Sequence, residues 1–127
     1  MTTTQQEVMT TQQVADRFYQ LAQEGKWAEV LDELFSPDAK SIEPPGVQGF
    51  PEVVTGLDNI REKGRIWGES IEEVHGAYCK EPQVGGNFFA CAMGVDATIK
   101  GQGRVPMDEI ALYEVRDGRI VREQFFY

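Results

Sequence analysis

The apolar positions of the chain change period partway along it. Up to about Ser70 they recur at helical spacing, and from Glu72 onward they fall into strand-like runs separated by glycine-rich turns. Thr10, followed three residues later by Gln13, matches a capping box, in which two side chains satisfy each other's orphan backbone amides. A helix is expected to begin there, with Val14, Phe18 and Leu21 on one face and Gly25 free to take the left-handed conformation that ends it. Trp27, Val30, Leu31, Leu34 and Phe35 follow i, i+3, i+4, i+7, i+8, which predicts a second helix that Ser36-Pro37 terminates. Leu57, Ile60, Trp67 and Ile71 predict a third, from Leu57 to Ser70, with Gly64 as a point of close approach on the same side.

Between the second and third helices, Ala39 to Glu43 reads as a short strand. It enters an irregular loop marked by Pro44-Pro45-Gly46, Gly49 and Pro51, long enough to form a rim. Four longer strands follow: Glu72 to about Glu81, Asn87 to Lys100, Val105 to Arg116 and Arg119 to Tyr127. Gly85-Gly86, Gly101-Gln102-Gly103 and Asp117-Gly118 separate them, and Asp117-Gly118 is a strong two-residue hairpin signal because both positions tolerate positive φ. The four strands are expected to form an antiparallel meander. Three helices followed by a meander define an α+β domain with the helices on one face of a curved sheet. Residues 1 to 9 are expected to be a loose tail, and residues 10 to 127 a single domain. A chain of 127 residues with 41% hydrophobic content suffices for one core.

Charge narrows the partners. A net charge of -9, with no basic cluster longer than two neighbours, disfavours nucleic acid and anionic membrane surfaces. No apolar run approaches the ~20 residues that span a bilayer, and the N-terminus has no leader pattern, so the expected location is cytoplasmic. Cys79 and Cys91 read as reduced packing residues on strands of opposite direction, although a disulfide between them is geometrically conceivable. One histidine and no H-x-x-x-H or C-x-x-C spacing give no expectation of a metal. Neither a dinucleotide fingerprint, a Walker segment nor a G-x-S-x-G elbow occurs, so no nucleotide cofactor or serine hydrolase chemistry is expected.

A helical hairpin, a short strand ending in an acidic residue and proline, a third helix, and a meander closing on Asp117-Gly118-Arg119-Ile120-Val121-Arg122-Glu123-Gln124-Phe125-Phe126-Tyr127 follow in that order. This order resembles the SnoaL-like branch of the nuclear-transport-factor-2-like superfamily over nearly the whole chain. The resemblance implies a conical sheet around a helix-lined pocket, frequent dimerisation through the outer sheet face, and a range from isomerases, polyketide cyclases and dehydratases to pure binding modules. Ala39 to Gly46 resembles the steroid isomerase segment carrying the general base, with Glu43 at the base's position. The two isomerase oxyanion donors fall on Phe18 and Ile110, and the acidic residue of SnoaL-type cyclases falls on Phe125. Neither specific activity is therefore carried over.

Strand alternation sets Val121, Glu123, Phe125 and Tyr127 on one face and Ile120, Arg122, Gln124 and Phe126 on the other, and the resemblance makes the first set the pocket face. A carboxylate at Glu123 between apolar neighbours needs a partner or a proton. His75 is the single histidine, the residue type suited to proton transfer near neutral pH, and Glu43, His75 and Glu123 suit acid–base work if they converge. The simpler reading is that His75 bonds a neighbour on its own strand. Asp108 and Glu109 place one carboxylate on each face, and register with the isomerases turns Asp108 inward. Phe18, Trp27, Phe35, Trp67, Phe89 and Phe125 lie on inward stripes. Expected ligand contacts are Phe18, Tyr19, Trp67, Phe89, Asp108, Phe125 and Tyr127. Two functions remain open: a protein binding a small apolar or cyclic molecule, with isomerase, cyclase or dehydratase chemistry at Glu43, or a non-enzymatic homodimeric module with a filled pocket. Apolar residues in both alternation sets of the meander favour a dimer through its outer face.

Overall fold

A computed structural model describes residues 8–47 and 49–127 of the chain. The capping box forms as the sequence requires: Thr10 accepts from the Gln13 backbone amide while the Gln13 side chain accepts from that of Thr10, opening α1 (Thr11–Gln23). Gly25 takes φ +70° and turns the chain into α2 (Trp27–Leu34). The strand β1 (Phe35–Ile42) starts directly afterwards, four residues earlier than its composition suggests, because a register shift between Phe35 and Lys40 accommodates Pro37. Then come β2 (Val53–Thr55) and α3 (Leu57–Ser70), followed by β3 (Ile71–Cys79), β4 (Gln83–Gly85), β5 (Phe88–Ile99), β6 (Gly103–Arg116) and β7 (Arg119–Phe126). Asp117 at φ 51° and Gly118 at φ 75° make the expected hairpin. Of the expected loose tail, residues 1–7 lie outside the described residues. Val8 and Met9 lie against the β6–β7 turn, where a Cβ on Gly118 would stand 2.8 Å from Val8.

Among the described residues the strands form one seven-stranded mixed sheet, in the order β2-β1-β7-β6-β5-β3 with β4 beside β5. The meander is antiparallel, whereas β1 pairs parallel with β7. That parallel pair joins the front of the chain to its end. On β5 and β6 the odd-numbered residues face the helices. Phe89, Cys91, Met93, Ala111, Tyr113 and Val115 are buried there in one cluster with Val14, Phe18 and Leu21 of α1. Phe18, Phe89 and Tyr113 form an aromatic centre with ring centroids 4.7 to 5.3 Å apart. Trp27 touches Phe18 edge-on, yet is 45% exposed rather than part of the core.

Two sequence expectations change here. The register between Glu114 and Val115 shifts against β7, so Val121 is the extra residue of a β-bulge and Ile120 is fully buried on the inner side with Glu123 and Phe125. Strict alternation across the bulge had set Ile120 outside. Gly64 is not a close-approach point, since a Cβ there meets nothing within 4 Å.

Gly94 on the outer face of β5 is the glycine that packing does require. A Cβ there would lie 2.6 Å from the Met107 carbonyl oxygen and 2.6 Å from the Tyr78 ring. Gly94→Ala should therefore destabilise the domain by ~1–3 kcal/mol through overpacking, read as a lower urea midpoint at unchanged slope. An unchanged midpoint would show that Tyr78 swings aside.

Candidate functional site

Ser41 and Glu43 are separated by one residue on β1 and its end, so both point to the inner side, where both are buried. The parallel ladder places Ser41 opposite Glu123, which stands opposite Tyr113 on β6. From the helix side, Ile60, Lys63 and Trp67 recur at i, i+3 and i+7 on α3, which turns Lys63 toward the same place. The outcome is a connected polar network. Lys63 Nζ donates to Glu43 Oε2 at 2.6 Å and to Ser41 Oγ at 2.8 Å, while Ser41 Oγ donates to Glu123 Oε2 at 2.6 Å. Tyr127 OH donates to the other Glu43 oxygen, Oε1, at 2.6 Å.

The Lys63 and Glu43 side chains are only 11% and 8% exposed, so this ion pair is largely removed from water. Such a pair depends on its additional hydrogen bonds, because desolvating two charges costs several kcal/mol per ion. The Lys63 ammonium also lies 5.6 Å from the centre of the Phe50 ring and 5.4 Å from that of Phe125. Two aromatic rings therefore flank the cation, and Trp67 packs against one of them, meeting Phe50 at 6.3 Å.

Glu109 was not among the sequence candidates and belongs to this group. On β6 it shares the inner side with Ala111 and Tyr113, and its carboxyl is pushed up to about 7 by burial, reinforced by the charges of Glu43 and Glu123 and opposed by Lys63. Burial also raises the Glu123 carboxyl, against the pull of Ser41 and Lys63. Tyr127 is 60% exposed, and its hydroxyl holds its proton more tightly than usual, through partial desolvation and its bond to Glu43.

The expected residues thus separate. Glu43, Glu123 and Tyr127 come together in one network, with Phe125 and Trp67 beside it. His75 does not join them. It lies on β3, four strands from β1 in the sheet order, where Nε2 shares a hydrogen bond with Thr98 on the outer face and Nδ1 stands 3.7 Å from Glu73. Asp108 and Glu109 exchange the expected places: Asp108 lies outside, accepting from Tyr78 OH at 2.6 Å. The even-numbered residues of β6 face outward, so the isomerase register was off by one position. Phe18 and Phe89 are closed within the core, and Tyr19 is half-buried on α1 outside the network. Cys79 and Cys91 are both free and buried, and the neighbouring Cys79 thiol together with burial pushes Cys91 up.

Ser41, Lys63 and Glu109 were missed in the sequence. Lys63 carried a usable signal: a cation in the middle of the Ile60–Trp67 apolar stripe of an otherwise amphipathic helix. Two surface depressions, of about 430 and 260 Å³, lie at the N-terminal end by Gly118 and on the outer face by Gly94, and neither takes in Glu43, Lys63 or Glu123. Among the described residues no three histidine, cysteine or acidic side chains are placed to hold a metal ion, and no helix is long and apolar enough to cross a membrane.

The same arrangement of helices on a curved sheet recurs in solved proteins. A protein of unknown function with a cystatin-like fold from Xanthomonas campestris is 21% identical, with a TM-score of 0.71 over 93% of this chain and 90% of its own. A nuclear-transport-factor-2-like protein of unknown function from Burkholderia pseudomallei is 18% identical, with a TM-score of 0.74 over 92% and 89%. These define the fold class. Closer in sequence is a protein from Mesorhizobium loti assigned as a SnoaL-like polyketide cyclase, 36% identical, with a TM-score of 0.87 over 94% of this chain and all of its own. The model of the SnoaL-like domain matches residues 9–127, and the chain belongs to that family. No curated protein matches it.

The position of Glu109 has a measurable consequence. Between the ordinary carboxyl value of 4.5 and about 7, the folded protein keeps a proton that the unfolded chain has released. Stability should therefore fall as pH rises through that window and level off above it. Glu109→Gln should flatten this decline, seen by comparing urea midpoints at pH 5 and pH 8. Identical slopes in both proteins would place Glu109 in water.

Proposed function

We propose that the chain binds a small apolar or cyclic molecule at the Lys63-centred network and performs acid–base chemistry on it, of the isomerase, cyclase or dehydratase type. The observation that carries this reading is the ammonium of Lys63, held largely out of water by Glu43 and Ser41 beside Phe50 and Phe125, with Trp67 packed on Phe50. A charge in an apolar surround exerts a stronger field on a bound carbonyl than the same charge in water, which is the means by which a site steadies negative charge developing on oxygen. Glu43 is the base suggested by the sequence, and Tyr127 adjusts it through its hydroxyl. Trp67, Phe125 and Tyr127 offer the apolar contact. The assignment of the Mesorhizobium loti relative as a polyketide cyclase agrees with a cyclic ligand.

Mass spectrometry of small molecules co-purifying with the protein tests this directly. The wild type should retain a cyclic organic ligand, and Tyr127→Phe, which keeps the packing and removes one hydroxyl, should retain it ~10-fold less well at an unchanged melting temperature. Equal retention by the variant would remove Tyr127 from the site, and an absence of ligand from both proteins would count against the reading.

A homodimeric interaction module is favoured by a different observation. On the outer face Ile110 pairs with Phe126 and Ala92, and Ile110, Phe126 and Phe88 are 46%, 47% and 42% exposed. Sedimentation at micromolar concentration should give twice the 14.3 kDa chain mass, and Ile110→Glu should return it to the monomer. A wild type sedimenting as a monomer would eliminate the module.

A further inference from the structure

The three carboxyl groups around Lys63 are not equivalent. Glu43 has both oxygens engaged, one by Lys63 and the other by Tyr127, and Glu123 accepts from Ser41. Glu109 has no hydrogen-bond partner among the described residues, although it lies on the same inner side, facing Glu43 from β1, Glu123 and Tyr127 from β7, and Lys63 from α3. A second polar group nearby is in the same position. Tyr113, 2% exposed and opposite Glu123 in the ladder, has no partner for its hydroxyl among the described residues. Buried polar groups are nearly always satisfied, so the enclosed Tyr113 hydroxyl and the half-buried, open Glu109 carboxyl beside the network mark a place that something from outside completes.

The geometry points to Glu109 as the group that selects the ligand: it takes the proton-donating end, an ammonium or a hydroxyl, of a molecule with an apolar body, and it turns organic anions away. This rests on the proposed small-molecule site. The charges decide the sign. Glu43, Glu109 and Glu123 stand against the single ammonium of Lys63 in this network, and two of its three N–H groups are already taken by Glu43 and Ser41. An incoming full anion meets two further carboxyl groups, and among the described residues of the network no second cation offsets them; such like-charge juxtaposition is strongly unfavourable in a water-poor site. An incoming donor meets the one carboxyl whose oxygens are open. Phe50, Trp67 and Phe125 supply the apolar side of the same space. Because Glu109 titrates close to neutrality, an ammonium ligand draws it into the carboxylate form and should bind more tightly as pH rises from 6 to 8.

Benzylamine, benzyl alcohol and benzoate share one ring and differ in their polar end, and their affinities can be read from amide shifts in an NMR titration at pH 8. Benzylamine should bind at least ~10-fold more tightly than benzoate, with shifts on β1, β6 and β7. In Glu109→Gln, shown to be folded by circular dichroism, the two should come within ~3-fold of each other, while Glu109→Asp should restore part of the preference. Benzoate binding as well as benzylamine, or a preference untouched by Glu109→Gln, overturns the role of Glu109 and leaves the small-molecule site standing. If none of the three probes perturbs those strands, the site itself falls and this inference with it.

Discussion

A lysine ammonium held among aromatic rings can exist only if it is fully partnered, and that requirement fixes how the two ends of the chain meet. Lys63 reaches the inner side because α3 presents it on the stripe of Ile60 and Trp67, and it finds Glu43 and Ser41 because β1 carries both on one face. Ser41 can serve two neighbours only because the parallel β1–β7 ladder places Glu123 opposite it. Tyr127, the last residue, then closes the network on the remaining oxygen of Glu43. Removing one partner from such a pair typically costs ~3–5 kcal/mol, since the other charge stays behind unsolvated. The helix, the first strand and the last strand are thereby held in a single relative position.

The aromatic centre does different work. Phe18, Phe89 and Tyr113 are buried between α1 and the middle of the sheet and supply the non-directional part of the stability. Tyr113 belongs to both regions: its ring stacks on Phe89, and in the ladder it faces Glu123. The passage from closed core to polar network therefore occurs within one row of residues, Phe89, Tyr113, Glu123 and Ser41, running across β5, β6, β7 and β1.

The helices and hairpins were legible because their signals are local. The Thr10–Gln13 box, Gly25, the limits of α3 and the Asp117-Gly118 turn each depend on a few adjacent residues. The three-residue strands β2 and β4 carry too little pattern to be read, and the parallel pairing of β1 with β7 leaves no local trace at all. In the candidate site, Glu43 was legible from the likeness of its segment to the steroid isomerases, and Glu123 and Tyr127 from alternation with the inner face taken from the same resemblance. Asp108 was assigned the inner place that Glu109 holds because the period of a strand is two, so an error of one position in register reverses every side chain. The bulge at Val121 did the same to Ile120. His75 drew attention for its chemistry alone, and chemistry does not say which face a residue occupies.

Lys63 was missed for a more general reason. Apolar periodicity finds the residues that bury themselves without help, whereas a buried cation is stabilised by partners far away in sequence. Ser41 lies 22 residues from Lys63, Glu43 lies 20 residues from it, and Glu123 lies 82 residues from Ser41. The same separation explains why the family supports a common fold more firmly than a common reaction. The aromatic centre constrains size and shape, which many sequences can meet, while the character of the site turns on whether a few widely spaced positions carry charge. The position that the resemblance to the steroid isomerases gives to the oxyanion donor of the first helix holds Phe18 here, which is wholly enclosed in the core. The polar groups have instead been gathered around Lys63, at the meeting of α3 with the first and last strands. The proposed function places its chemistry at that junction.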